Sequence, residues 1–358
     1  MFIVSTDSSC MYVLASYRAY CLPLLQQLKT SEVFGGSHSD NSQDESVETR
    51  KPKRPRLLII APTRELVIQI KDVVKQLCHS IKLSSRALVG GQDYGKQRKA
   101  LNRPVDVVVS TPGRLLQHWR EGHLFFGDVQ YVVLDEMDTL LEQGFQKELE
   151  QILYPLLWER PMDPENPIPK EKAAKIILTS ATMTQSIQKI ILDKSQLRNN
   201  NNNQDMTVTA SKSYTKPGTE KAPKMILPRM EIIKAPGLHK AVPRLEQVFV
   251  DVGNIDKISL LVDVVSSGTR KGSAGPQEHL TMVFCNTAAS TRAVQFALAE
   301  ARIDSLSYHG ELNSLARSEN LQRFRRAGQD PTAGEPRILV CTDLGARGLD
   351  VPQVCIVL

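Results

Sequence analysis

The chain has 358 residues, enough for two domains of ordinary size, with 41% hydrophobic and 23% charged side chains, the balance of a soluble globular protein. A formal net charge of +6 suits a polyanionic partner without demanding one. The six cysteines form no Cys-x-x-Cys pair and read as reduced core residues of an intracellular protein, which excludes a disulfide or zinc framework, and no apolar stretch is long enough to cross a bilayer.

In chain order, the start MFIVSTDSSCMYVLASYRAYCLPLL is apolar but broken by Asp7 and Arg18, and it lacks the basic opening of a secretory signal. An organelle transit peptide stays open. Residues 35–56 are low in complexity and end in the basic KPKRPR, which reads as a solvated loop or as a nuclear address. Short β-rich runs then alternate with amphipathic stretches. Strands are expected at 57–63, 86–90, 105–111, 130–136 and 175–181. Apolar residues at Ile70, Val73, Val74, Leu77 and Ile81 mark one face of a helix after Leu66, and further helices are expected at 146–157 and 184–194. A second low-complexity insert covers 195–224. The pattern resumes with strands at 281–287, 305–310, 338–343 and 354–358 and helices at 288–302 and 313–326. Apolar strands separated by helices predict α/β units with parallel sheets covered on both sides. The expected organisation is a first domain over 1–235, a linker at 236–246 and a second domain over 247–358.

The chemistry begins at VVLDEMD. Asp135 and Glu136 end an apolar strand, at the edge where open α/β sheets bind ligands. One carboxylate there can hold Mg²⁺ through water and the next can orient an attacking water. Taken alone, the pair is a weak signal and fits a strand meeting solvent better. The turns PTR (62–64), GGQ (90–92), STPGR (110–114) and SAT (180–182) add Gly, Thr and Ser at strand ends, with charge from Arg64 and Arg114. Such loops contact phosphates without reading bases, although Thr63 and Thr111 are equally natural helix N-caps.

Taken together, PTREL, GG, TPGR, DEMD and SAT, followed by MVFCNT, YHGELNSLARSENLQRFR and ILVCTDLGARGLDVPQV, resemble the motif series of DEAD-box ATP-dependent RNA helicases over most of 57–358. The resemblance implies two RecA-like domains that close on RNA and ATP, with Mg²⁺ as the metal. By position it implies that Asp135 and Glu136 handle Mg²⁺ and the attacking water, that Asp138 links the nucleotide site to Ser180 and Thr182, and that Asp350 approaches the ATP ribose. Pro62, Thr63, Arg64, Gly91, Thr111, Gly113 and Arg114 would hold the RNA backbone from the first domain, and Gly310, Arg317 and Thr342 from the second. Arg347 would join the domains. The RNA target and protein partners stay open, with ribosome assembly only a family-level expectation. The compartment (nucleus, cytoplasm or organelle) stays open too.

The sequence departs from the family at Ser314, where neighbours often carry Gln, in lacking the upstream adenine-sensing glutamine segment, and in three further places. Met137 replaces the usual alanine of the DEAD tetrad, with a modest effect expected. No Gly-x-Gly-Lys-Thr loop occurs; aligned from AYCLPLLQQLK (19–29), its last three slots hold Ala15, Ser16 and Tyr17. The chain stops at Leu358, before the family's arginine-rich sixth motif, so the second domain is expected to be truncated, with an open strand edge. The expectation is a helicase-type chain defective in ATP hydrolysis; the alternative is a non-catalytic RNA-binding pseudo-helicase. A DNA-directed helicase and a scaffold without nucleic acid are further readings.

Overall fold

The computed structural model describes residues 2–5, 10–34, 50–158, 173–182, 184, 187, 227, 230–233, 245–267, 280–330, 332–343, 351 and 354–357. The insert at 195–224, most of the 184–194 helix and of the 236–246 linker, Arg347 and Asp350 lie outside them. The chain divides into two compact units: Cys21–His239, and Lys240–Leu358 together with Met1–Tyr20. A strand, β1 (Phe2–Ser5), and a 25-residue helix, α1 (Cys10–Phe34), open the chain.

In the Cys21–His239 unit, strands β2 (Leu57–Ile60), β3 (Ser85–Leu88), β4 (Val107–Ser110), β5 (Tyr131–Leu134) and β6 (Lys175–Leu178) form one parallel sheet in the order β3-β4-β2-β5-β6. The central strands explain the unbroken apolar runs. Leu57 through Ile60 are fully buried, as are Val107 through Val109, because helices cover both faces.

Helix α2 (Arg64–Ile81) starts at Thr63 and ends at Lys82, which takes a left-handed φ of 59° while its N–H donates to the Cys78 carbonyl. It buries Leu66, Val67, Ile70, Val73 and Val74. Leu77 and Ile81 are only half-buried and line a groove shared with Leu22 and Leu25 of α1. Helices α3 (Tyr94–Leu101), α4 (Pro112–Arg120), α5 (Met137–Glu142) and α6 (Gln146–Leu157) complete the unit. Cys21 and Cys78 are free and buried, as reduced core residues should be.

At the amino edge of this sheet sits a charge cluster. Arg56 donates to Asp106 at 2.8 Å and to Glu32 at 2.5 Å, and Asp106 also accepts from the Ser84 backbone N–H at 2.7 Å. It ties α1 to the starts of β2 and β4, far along the strands from the motif loops.

The other unit holds β7 (Leu245–Val248), α7 (Lys257–Ser267), β8 (Leu280–Cys285), α8 (Ala288–Glu300), β9 (Ser305–Tyr308), α9 (Ser314–Gln329), β10 (Ile338–Thr342) and β11 (Val354–Val357). Its sheet runs β7-β1-β11-β8-β10-β9, with β11, β8, β10 and β9 parallel. Alternate residues feed opposite faces. Val283, Ile338 and Val340 pack with Leu261 and Leu298, whereas Met282, Leu339 and Cys341 pack with Tyr308 and Phe324.

The open edge expected at the last strand is not found. The opening residues form β1, which pairs antiparallel with β11 on one side and with β7 on the other. The short run Phe2–Ser5 is β-prone; it pairs along its length with β7 and meets β11 at Ile3 and Val357. No helix among the described residues is long and apolar enough to cross a membrane.

Candidate functional site

A parallel sheet delivers all its strand-to-helix turns to one edge. Hence PTR after β2, GG after β3, TPGR after β4, DEMD after β5 and TSAT after β6 gather along the carboxyl edge of the Cys21–His239 sheet. The middle of this row is held by hydrogen bonds. The Asp135 carboxylate accepts from the Thr179 hydroxyl and, at 3.0 Å, from the Glu136 N–H. Asp138 reaches across to the last turn, accepting from the Thr182 hydroxyl at 2.7 Å and the Thr182 N–H at 3.1 Å. The Ser180 hydroxyl donates to the Thr182 carbonyl at 2.8 Å. Asp138, Ser180 and Thr182 are therefore one connected group. Thr179, directly before SAT, escaped the sequence reading; its only signal was a hydroxyl residue at a strand end.

Glu136 caps α5 with φ 49° and ψ 55°, the left-handed region, which a residue with a Cβ enters at a cost. The turn thereby carries the chain from strand to helix within two residues, Asp135 and Glu136. Met137 then points into the core beside Leu134 and Leu140 and is 1% exposed. The departure from alanine is a packing choice. Restoring the family residue, Met137→Ala, should empty that space and lower stability by about 2–3 kcal/mol, read from a urea titration; a neutral result would mean the core closes over the gap.

The side-chain cap expected at both threonines is made at Thr63 and not at Thr111. The Thr63 hydroxyl accepts from the Leu66 N–H at 3.2 Å, so its side chain is engaged in capping α2. Thr111 sits at the N-cap of α4 without a side-chain cap bond, and Pro112 takes the first helical position. Pro62 is buried in the turn. Gly91 has φ 72° and needs to be glycine on backbone grounds. Gly113 and Gly310 do not: a Cβ on either would meet no atom within 4 Å.

Two of the arginines carry a buried polar atom that the protein leaves unmatched. Arg64 Nε and Arg317 Nε have no hydrogen-bond partner among the described residues. Arg317 lies in the first turn of α9, which Asn313 caps by accepting from the Ala316 N–H at 2.7 Å. Gly310 and Thr342 follow β9 and end β10 in the same unit, and those strands are parallel neighbours, so their ends share an edge.

Arg114 belongs to a second cluster that the sequence reading missed. Its guanidinium lies 5.1 Å from the centre of the Tyr94 ring. Tyr94 stacks on the buried His118 with ring centres 4.4 Å apart. The Tyr94 hydroxyl donates to Glu121 at 2.5 Å and lies 3.0 Å from His123 Nδ1. Burial, helped by Arg114 and His123, pushes His118 down to about 4, so its ring is neutral near pH 7. Spacing from GG to Tyr94 gives no hint of this contact, which depends on how α3 packs beside α4.

Among the described residues no group of three or more His, Cys, Asp or Glu could hold a metal. Asp135 and Glu136 suit a hydrated Mg²⁺, which takes one or two carboxylates and keeps much of its water. The phosphate side of such a site does not fit. Positions 15–17 lie within α1, beyond its first four residues, so their N–H groups are committed to helix bonds.

The DEAD/DEAH box helicase family matches residues 18–190 and the helicase conserved C-terminal domain matches residues 256–358. The chain belongs to the DEAD-box helicase family. It is 33% identical over 335 residues to DEAD-box ATP-dependent RNA helicase 39 of Arabidopsis thaliana, covering 93% of this chain and 44% of that one. It is 29% identical over 336 residues to the probable ATP-dependent RNA helicase DDX28 of Homo sapiens, covering 93% of this chain and 52% of the relative. The chain thus spans about half the length of the curated relatives it matches. In fold it resembles DEAD-box helicase Mss116 bound to ssRNA and UDP-BeF, with a TM-score of 0.61, 24% identity, and coverage of 95% of this chain and 57% of that one. It also resembles S. cerevisiae Dbp5 bound to RNA and ADP BeF3, with a TM-score of 0.60, 20% identity, and coverage of 86% and 62%. The DEAD-box fold is therefore two RecA-like α/β domains, as the sequence predicts.

Proposed function

We propose that this protein is an RNA-binding member of the DEAD-box ATP-dependent helicases that grips the sugar–phosphate backbone, and that the chain in its given sequence hydrolyses ATP poorly. The observation that carries the RNA reading is the pair of buried, unmatched Nε groups on Arg64 and Arg317. Each arginine stands at a helix start in a motif turn and carries a buried N–H that a phosphate oxygen could satisfy. Relatives named as RNA helicases, and neighbours solved with RNA, support the same reading.

Pro62, Thr63, Arg64, Gly91, Thr111, Gly113 and Arg114 would contact RNA from one unit, and Gly310, Arg317 and Thr342 from the other. Such contacts carry no base information, so binding should be indifferent to sequence. Bound ATP would supply the phosphoryl group to be transferred. Asp135 would hold the hydrated Mg²⁺, Glu136 would orient water, and Asp138 would couple that side to Ser180 and Thr182 through the bonds to Thr182. Asp350 at the ribose and Arg347 between the domains complete the assignment. The helical Ala15, Ser16 and Tyr17 argue against turnover and favour, as the second reading, an RNA clamp that works without hydrolysis.

The test is fluorescence anisotropy with labelled single-stranded RNAs of two unrelated sequences and a DNA of matching sequence, with and without ATP. Equal binding of both RNAs is expected, weakening linearly in log–log salt plots, with Arg64→Ala and Arg317→Ala each costing about tenfold. No binding at low salt would reject the function, and preference for DNA would redirect it.

A further inference from the structure

The cluster around Tyr94 lies between two motif turns, and no part of the catalytic assignment uses it. Tyr94 is the first residue of α3, whose N-cap Asp93 accepts from the Lys96 N–H at 3.0 Å. Its ring is fixed from three sides. His118 stacks beneath it, nearly parallel at 18°. Glu121 and His123 hold its hydroxyl. His118 is itself held 3.3 Å from Gln97, and the Gln97 amide donates at 2.9 Å to the carbonyl of Val89, directly before the GG turn. The ring is thus a rigid plate anchored to both the GG turn and α4.

Arg114 rests over this plate, 5.1 Å from the ring centre. Arg114 and His118 are one turn apart on α4, so both project onto the same helix face, and each meets the Tyr94 ring. Among the described residues Arg114 makes no salt bridge or hydrogen bond, and the nearby carboxylate of Glu121 is taken by the Tyr94 hydroxyl. A guanidinium stacked on a ring uses its face and leaves its N–H edge for an oxyanion.

We propose that Tyr94 is a positioning residue: its ring, locked by His118, Glu121 and His123, holds the Arg114 guanidinium edge-out to receive an RNA phosphate. This rests on the RNA reading above. A flexible arginine must lose side-chain freedom on binding a phosphate, and the plate removes much of that loss beforehand.

The test uses the full chain, with arginine ¹⁵N-labelled for NMR and with labelled oligouridine for binding. The ring current of Tyr94 should displace the Arg114 Nε–H signal, identified by its disappearance in Arg114→Lys. The displacement should persist in Tyr94→Phe and collapse in Tyr94→Leu. Arg114→Ala should weaken RNA binding about tenfold and flatten the salt slope by about 0.7. Tyr94→Leu should cost about threefold, Tyr94→Phe, which keeps the ring on His118 but loses the hydroxyl's anchors, should cost less, and Tyr94→Leu should add no loss to Arg114→Ala. Unchanged binding and an unmoved signal in Tyr94→Leu would overturn the proposal. So would an equal loss with and without Arg114, which would mean that Tyr94 acts independently of it. If the signal responds to Tyr94→Leu but the wild-type chain binds no RNA, the function reading fails and the positioning role falls with it, while the ring–guanidinium contact stands.

Discussion

Asp106→Ala is expected to destabilise the Cys21–His239 unit by about 3–5 kcal/mol, the cost of breaking a buried ion pair from one side. The Asp106 side chain is 1% exposed. One oxygen accepts from Arg56 at 2.8 Å, and the other accepts from the Ser84 N–H at 2.7 Å and the Ser84 hydroxyl at 3.2 Å. The variant leaves the Arg56 guanidinium with Glu32 and the Leu28 carbonyl, and leaves a backbone N–H without its acceptor. Asp106→Asn keeps an acceptor oxygen and should lose less.

Both tryptophans, Trp119 and Trp158, lie in this unit, so their fluorescence during urea unfolding reports it selectively. A loss under about 1 kcal/mol would mean the cluster behaves as a solvated surface pair. The same cluster predicts an acid response. Partial burial pushes the Glu32 carboxyl up, but hydrogen bonds from Arg50 and Lys29, with Arg56 beside them, outweigh this and hold it at about 2 against an ordinary 4.5. The folded value is the lower one. Its contribution is therefore full above pH 4.5 and drains away as pH falls through 2, a loss that Glu32→Gln should blunt.

The second large effect concerns turnover. RNA-stimulated ATP hydrolysis by this chain is expected below about 0.01 s⁻¹, three orders under an ordinary enzyme turnover of about 10 s⁻¹. A phosphate-binding loop works through free backbone N–H groups, a lysine charge and a small hydroxyl on Mg²⁺. Here α1 absorbs the N–H groups of 15–17, and Ala15, Ser16 and Tyr17 bring no cation. The Tyr17 side chain is buried and packs edge-on against Tyr20, with ring centres 6.4 Å apart. Phosphate release should be followed with saturating RNA, with Glu136→Gln as the blank. Turnover near 1 s⁻¹ that the Glu136→Gln change abolishes would sink this prediction and restore the full catalytic reading.

How much of the site was legible depended on the kind of residue. Asp135 and Glu136 drew notice because they end a buried parallel strand at the ligand edge, and the family resemblance added Asp138. The link from Asp138 to Thr182 came only from the family resemblance, since no local pattern joins turns 44 positions apart in sequence. Tyr94 was invisible for the same reason. Its partners come from α4 and the turn that follows, and no local pattern signals a ring stacked on a histidine 24 positions later. Thr63 was legible as a helix N-cap, and the structure engages its hydroxyl there.

By itself the sequence determined the alternation of strands and helices, the parallel character of the central strands and the motif residues at their ends. Those follow from hydrophobic periodicity and turn chemistry, which act over a few residues. Only the tertiary structure decided that Phe2–Ser5 would pair with Val354–Val357 and close an edge that looked open. It alone buried Met137, joined Asp106 to Arg56 and α1, and set Arg114 on Tyr94. These are contacts between segments far apart in the chain. Their energies depend on which surfaces meet and exclude water, and no short stretch of sequence carries that information.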